Sequence, residues 1–346
     1  MLQLKNTTPF AAHIAVLPDE RGVDTLYVTI KATFALGARL EVADPQPPIV
    51  LADEYWGEPG QSSLKYAAEV HLAKPSTDVA LVGQAHAPGR KRVTQLDASL
   101  AVAGLKKVVR VHGDREWRPG FACIPARATA PAPFESMPLV YERAFGGLHA
   151  LEGKRPQVLF EPRNPAGLGF AGKRKGRELK GLALPNLEDP GAPIKGTKHR
   201  PAPTGFGFIA PAWEPRKSYA GTYDEAWLKQ RAPYLPEDFD ARFFNAAHPD
   251  LVAGRYLEGG EKVEALNLSP GGVLRFRLPA ARLAAAARIA GREEAARLNL
   301  ETVLIEPDDT RLSLLWRGAV PCDKRALKVE EVRVELQQLV VDGRAG

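Results

Sequence analysis

A chain of 346 residues can bury one large core or two moderate ones. With 45% hydrophobic and 25% charged residues it has the composition of an ordinary folded chain, which excludes disorder throughout. The net charge of +6, from 47 basic and 41 acidic residues, is a modest excess; without a zinc-finger spacing, recognition-helix pattern or sheet-borne aromatic pair, it predicts no nucleic-acid partner.

Cys123 and Cys322 stand nearly two hundred positions apart and spell neither a thiolate metal site nor a disulfide framework, so a reducing cytoplasm is the expected setting. The opening MLQLKNTTPFAAHIAVLP lacks a cationic leader followed by a long apolar run. No stretch approaches the ~20 apolar residues that span a bilayer, so no membrane partner is expected.

In chain order, the first hundred residues read as strands. LYVTIKATF, residues 26–34, alternates so that Leu26, Val28, Ile30 and Ala32 share one face while Tyr27, Thr29, Lys31 and Thr33 share the other, the pattern of a half-buried strand. After the break at Pro45, Pro47 and Pro48, β-prone pieces follow at 67–72, 78–85, 93–102 and 106–112, with Ala103-Gly104 placed to turn a hairpin.

Residues 125–250 are dense in aromatics, glycine and proline and nearly free of periodic runs. Such a stretch holds shape only through specific turns and packed rings, which predicts a rigid, irregular docking surface. Two short helices are expected inside it. Thr222 with Glu225 fits a capping box that leads into Tyr223 and Trp227 on one side. Pro236 opens a second turn with Glu237 and Asp238 at its N-terminus and Phe239 docked beside Phe243. The basic run from Gly172 to Arg177 reads as a solvated loop.

Residues 280–298 are alanine-rich and interrupted by Gly291, which fits a short helix or a loose connector equally well. Strands return at 272–278, 301–306, 311–316 and 327–340, with a turn at 307–310. In the last piece Val329 and Val332 are out of phase, so a single strand there needs a bulge or a bend. The fold class is mainly β: an antiparallel sheet or sandwich core with a large irregular insertion and a few short helices. The expected division is a β-rich region at 1–120, the irregular platform at 121–250, and a β-rich region at 251–340 that completes the core with the first.

Chemistry-bearing motifs are sparse. The seven histidines never fall at the spacing of a helical metal pair, and His149 with Glu152 has no neighbouring third ligand. Gly-x-Ser-x-Gly is missing, Ser136 sits in no nucleophile elbow, and Cys123 has apolar neighbours. Gly167-Leu168-Gly169 and Gly205-Phe206-Gly207 lack the surroundings of a dinucleotide loop and read as tight turns, so no cofactor is expected. Glu142, Glu188, Asp189, Asp224 and Asp240, with Trp213, Tyr219, Tyr223 and Trp227 as stacking surfaces, keep a carbohydrate-active hydrolase open as an alternative. The same rings beside Arg143, Arg216, Lys217 and Arg231 have the composition of a protein-binding hot spot. A structural module without a partner is the remaining alternative.

The ordered blocks NTTPFAAHIAVLPDERGVDTLYVTIKATFAL, LKYAAEVHLAKPSTDVALVGQAHAP, FESMPLVYERAFGG, NPAGLGF, LPNLEDP, FGFIAPAWEPRKSYAGTYDEAWLKQRAPYLPEDFDARFFNAA and IEPDDTRLSLLWRG span residues 6–318. They resemble the domain of unknown function family 2169. That resemblance implies a non-enzymatic bacterial adaptor or chaperone of the type VI secretion system. Such a protein helps load an effector, often one with a PAAR-type spike-tip domain, onto the secretion spike. The partners implied are the effector and a spike or PAAR-type protein.

No catalytic set comes with the resemblance. Its blocks single out Tyr141, Glu142, Arg143, Asn164, Asn186, Glu188, Trp213, Arg216, Tyr219, Tyr223, Asp224 and Trp227 as protein-binding or platform-forming residues. Of these, Arg143, Trp213, Arg216, Tyr219 and Trp227 are expected on the cargo contact or directly beneath it.

Overall fold

The computed structural model describes residues 3–120, 125–153, 155–341 and 344–345. Cys123 lies outside the described residues. The protein is mainly β, with three larger sheets, several two-stranded pieces and short helices.

The six-stranded central sheet runs Ala11–Pro18, Asp24–Leu36, Arg311–Pro321, Asn299–Glu306 and Asp78–Leu81, with Leu40–Val42 added beside Asp24–Leu36. Its pairs are antiparallel except the last, where Asp78–Leu81 runs parallel to Asn299–Glu306. Strands from both ends of the chain are thus direct neighbours.

Asp24–Leu36 departs from the half-buried expectation, because both of its faces are covered. Leu26, Val28, Ile30 and Ala32 enter the hydrophobic core, yet Tyr27, Thr29, Lys31 and Thr33 are also buried. The alternation is real, but the polar face is covered, and buried polar groups on it are matched. Lys31 Nζ donates to Glu69 at 3.0 Å and to the Pro48 carbonyl at 3.2 Å, and the Thr33 and Ser313 hydroxyls lie 3.0 Å apart.

The covering segment includes residues 67–72, which form no strand; the strand stands just before them at Leu64–Tyr66. Their backbone is instead spent on Arg317, which is 1% exposed and donates to the carbonyls of Glu69 and His71 and to Glu301 Oε2 at 2.9 Å. Beside it Lys74 Nζ bonds Asp78 at 2.7 Å and Thr302 at 2.8 Å, while Asn245 reaches the other Asp78 oxygen at 2.8 Å. Charges at this depth persist only when paired.

A second sheet is ordered Leu187–Glu188, Leu105–His112, Gln95–Val102, Lys262–Leu266 and Val273–Arg277. The expected turn at Ala103-Gly104 joins its central hairpin. A third sheet sets Gln3–Asn6 parallel to Val329–Val341, followed by Ala280–Ile289 and Arg292–Ala296, with Arg344–Ala345 paired to Val329–Val341.

The alanine-rich stretch is therefore a hairpin rather than a helix or a connector. Ala285, Ala287 and Ile289 alternate into the core, pairing with the long terminal strand outweighs the intrinsic preference of alanine for helix, and Gly291 at φ 77° provides the left-handed turn. The irregularity expected in the terminal strand is present. Its register against Ala280–Ile289 shifts where Glu330 and Gln337 are passed over, which lets Val329, Val332 and Val334 all face inward.

One hydrophobic cluster draws buried residues from all three sheets, and a small satellite joins Trp117, Ala171, Leu179 and Leu184. The α-helix, Glu225–Gln230, is capped by Asp224, which accepts from the Trp227 amide at 2.8 Å. Thr222 is not the cap, because its amide and hydroxyl are taken by Asp238 at 2.9 and 2.7 Å. The turn after Pro236 likewise starts later, as a 3-10 helix at Ala241–Phe244 capped by Asp240. Phe239 and Phe243 do meet, with centroids 5.7 Å apart, and Phe244 stacks on His71 at 5.4 Å.

Candidate protein-binding site

The irregular region separates into a buried frame and an exposed flap. In the frame, Asn164 is fully buried and its Nδ2 donates to the carbonyls of Tyr141 at 2.7 Å and Phe145 at 3.1 Å. Gly146 packs so tightly against it that a Cβ there would lie 2.0 Å from the Asn164 carbonyl oxygen. Glu142 reaches across to Ser63, accepting from its amide and its hydroxyl, both at 2.6 Å.

Asn186 forms a second knot. It donates to the His112 carbonyl at 3.1 Å and to Asp114 at 2.9 Å, and accepts from Arg143 at 3.1 Å. Glu188 is buried and accepts from Arg115 at 2.6 Å. Burial raises its carboxyl above the ordinary carboxylate range, with Arg115 opposing. Burial, reinforced by Arg115 and Arg110, lowers His112 to about 4, so the ring is neutral.

Trp213 is buried edge-on to Tyr141 at 6.1 Å. Arg216 is only 7% exposed; it donates to the carbonyls of Phe243 at 2.9 Å and Ile209 at 2.6 Å and lies over the Phe243 ring. Both residues sit beneath the surface as framework. Arg143 lies apart from them, in the Asn186 knot.

The flap lies above, around Glu225–Gln230. Tyr223 and Trp227 meet edge-on at 4.7 Å, Trp227 Nε1 donates to the Tyr234 carbonyl at 2.8 Å, and Arg242 stacks over Tyr219 at 4.5 Å. Arg231 fastens the flap to the N-terminal turn by donating to the carbonyls of Leu235 at 2.9 Å and Glu20 at 2.6 Å. Its exposed face mixes rings and an aliphatic side chain with charged and polar groups: Tyr223 is 54%, Leu228 64% and Tyr234 40% exposed, and Asp224, Glu225, Lys229 and Gln230 are exposed beside them. Tyr219 and Trp227 are half-buried.

The carboxylates singled out in the sequence have structural partners here: Ser63 for Glu142, Arg115 for Glu188, the Gly191 amide for Asp189, the helix cap for Asp224, and Arg242 at 2.5 Å for Asp240. Among the described residues no group of three or more His, Cys, Asp or Glu is placed to hold a metal ion. Cys322 is buried and burial raises its thiol. In the basic run, Lys173, Lys175 and Arg177 are exposed.

Sequence reading missed a cleft of about 490 Å³ beside the frame, where Lys107, Thr204, Glu214, His248 and Asp250 join Tyr141 and Asp189. Lys107 and Asp250 stand 143 positions apart and pair at 2.8 Å, a contact with no local signal.

These features define a mainly β protein that carries an aromatic flap on a buried polar frame. The family model for uncharacterized proteins conserved in bacteria, DUF2169, matches residues 21–317, and the chain belongs to that family. No curated protein and no solved structure matches the chain. No helix among the described residues is long and apolar enough to cross a membrane.

Proposed function

We propose that this protein is a non-enzymatic cytoplasmic adaptor that grips a type VI secretion effector, near its PAAR-type spike-tip domain, and assists its loading onto the secretion spike. The observation that carries the reading is the flap: exposed Tyr223, Leu228 and Tyr234 beside Tyr219, Trp227 and Arg242, held from below by a buried frame. Aromatic rings and guanidinium groups dominate the energetics of protein contacts because rings exclude water and guanidinium makes directed bonds. A preformed surface loses little conformational freedom on docking.

A standard contact buries ~1,200–2,000 Å² in total, and a few anchors carry most of its energy. Tyr223, Leu228 and Tyr234 fill that role, while Trp213 and Arg216 keep the surface in shape. The effector link rests on the resemblance described above together with family membership. The test is mild purification of the tagged protein from its native bacterium followed by identification of what co-purifies. Stoichiometric recovery of a secretion effector supports the reading. Recovery of the protein alone, under conditions in which the effector is expressed, contradicts it.

A further inference from the structure

The cleft beside the frame is walled by Pro203, Ile209, Pro215 and Pro249, with Lys107 and His248 in its lining. Two of its lining residues carry hydroxyls without a partner: Tyr141 Oη and Thr204 Oγ1, each on a side chain only 3% exposed. A buried hydroxyl left unmatched is unfavourable, and a ligand that donates hydrogen bonds to it relieves the cost.

The charges in the lining are unequal in what they have left to offer. Lys107 is held by Asp250 at 2.8 Å, and Arg163 by Glu161 at 2.7 Å. Asp189 and Glu214 form no salt bridge among the described residues; they accept only backbone amides, from Gly191 at 2.7 Å and Ser218 at 3.2 Å. The cleft therefore has two carboxylates without an ionic partner, while each of its cations has one, Arg163 sharing Glu161 with Arg200.

His248 adds no positive charge. The Asp250 amide donates to its Nδ1 at 3.2 Å, which leaves the proton on Nε2, 3.4 Å from the Pro203 carbonyl and 3.3 Å from Lys107 Nζ. Burial and Lys107 lower the ring to about 4, so it is neutral near pH 7.

We propose that this cleft is a socket for a cationic side chain, an arginine or lysine presented by a polypeptide partner. The apolar prolines and Ile209 cover the aliphatic stem, Asp189 and Glu214 take the charged head, and the Tyr141 and Thr204 hydroxyls accept its remaining hydrogens. The occupant is polypeptide because a second hollow shares part of the cleft's lining. Ile209, Pro215 and Pro249 also border a smaller hollow of about 190 Å³ beneath Tyr219 and Arg242, so one chain can lie across both. This last step rests on the adaptor reading; the charge preference of the socket does not.

The test titrates the full-length protein with N-acetyl-L-arginine N-methylamide and, separately, with N-acetyl-L-glutamate N-methylamide, followed by ligand-detected NMR. Asp189→Asn and Glu214→Gln keep an oxygen for the Gly191 and Ser218 amides, so both variants should melt as the parent does. The expected result is saturable binding of the arginine probe, weakened about two- to fivefold by each substitution and about tenfold by the pair, with no saturable binding of the glutamate probe. No binding of the arginine probe, equal binding of the glutamate probe, or an arginine affinity unchanged in the double variant overturns the proposal.

Capture of the native partner separates this proposal from the adaptor reading. Arginine binding without any co-purifying effector leaves the socket and removes the adaptor. Effector capture undiminished in the double variant leaves the adaptor and removes the socket.

Discussion

Frame and flap are built from the same kinds of residue, yet one is sealed and the other is open. Arg216 in the frame and Arg242 in the flap both lie against an aromatic ring, at 5.1 and 4.5 Å. Arg216 also supplies two buried carbonyls and is 7% exposed, whereas the Arg242 side chain is 61% exposed and pairs with Asp240. What separates them is the chain folded over each, so composition alone does not distinguish a sealed scaffold from an open surface.

Substitution of the two arginines gives the sharpest contrast. Arg216→Ala leaves the Ile209 and Phe243 carbonyls unmatched and should cost about 2–4 kcal/mol in urea unfolding. Asn164→Ala strips the Tyr141 and Phe145 carbonyls of the same donor and should cost about 2 kcal/mol. Arg242→Ala breaks an exposed pair and a ring contact and should leave the urea midpoint nearly unchanged. A large loss at Arg242 and a negligible one at Arg216 would invert the assignment of the two regions.

Acid should act on the sealed side. His71, His112 and His248 are held neutral in the fold, His71 by burial with Arg317 and Lys74 beside it and the other two at about 4. Their depressed values mean that the unfolded chain binds protons first, so their contribution to stability is present above the ordinary value near 6.5 and declines as pH falls from there toward about 4. Glu188, raised by burial, acts in the opposite sense. Chemical unfolding across that window should show stability falling with acid, and His112→Gln should flatten the slope. The smallest stability effect belongs to Tyr223→Ala, where a calorimetric melt should barely move while capture of the partner weakens.

Much of the fold was legible wherever alternation and turn chemistry agreed. The hairpin at Ala103-Gly104, the strands around 301–306 and 311–316, and the out-of-phase Val329 and Val332 all carry their own local signal. Ala280–Ile289 did not, because alanine is compatible with either periodicity and the strand is decided by its neighbour Val329–Val341. The covered polar face of Asp24–Leu36 was hidden for a related reason: Lys31 finds Glu69 and Arg317 finds Glu301 only after the sheet has formed.

At the candidate site the sequence located the frame residues but not their depth. Thr222 and Asp224 both suit a helix start, and the choice falls to Asp224 because Asp238, sixteen positions on, occupies Thr222. The cleft depends on Lys107, Glu214 and Asp250 converging from distant segments, and no spacing rule links them.

The central claim is that a rigid frame presents a ready-made surface to a polypeptide. Amide hydrogen exchange on the full-length protein, with and without its co-purified partner, tests it most directly. The account predicts slow exchange at the frame amides of Ala144, Gly147 and Asn186 in the protein alone, and new protection across Glu225–Gln230 when the partner is bound. Rapid exchange of the frame in the free protein, with the flap unchanged in the complex, contradicts it.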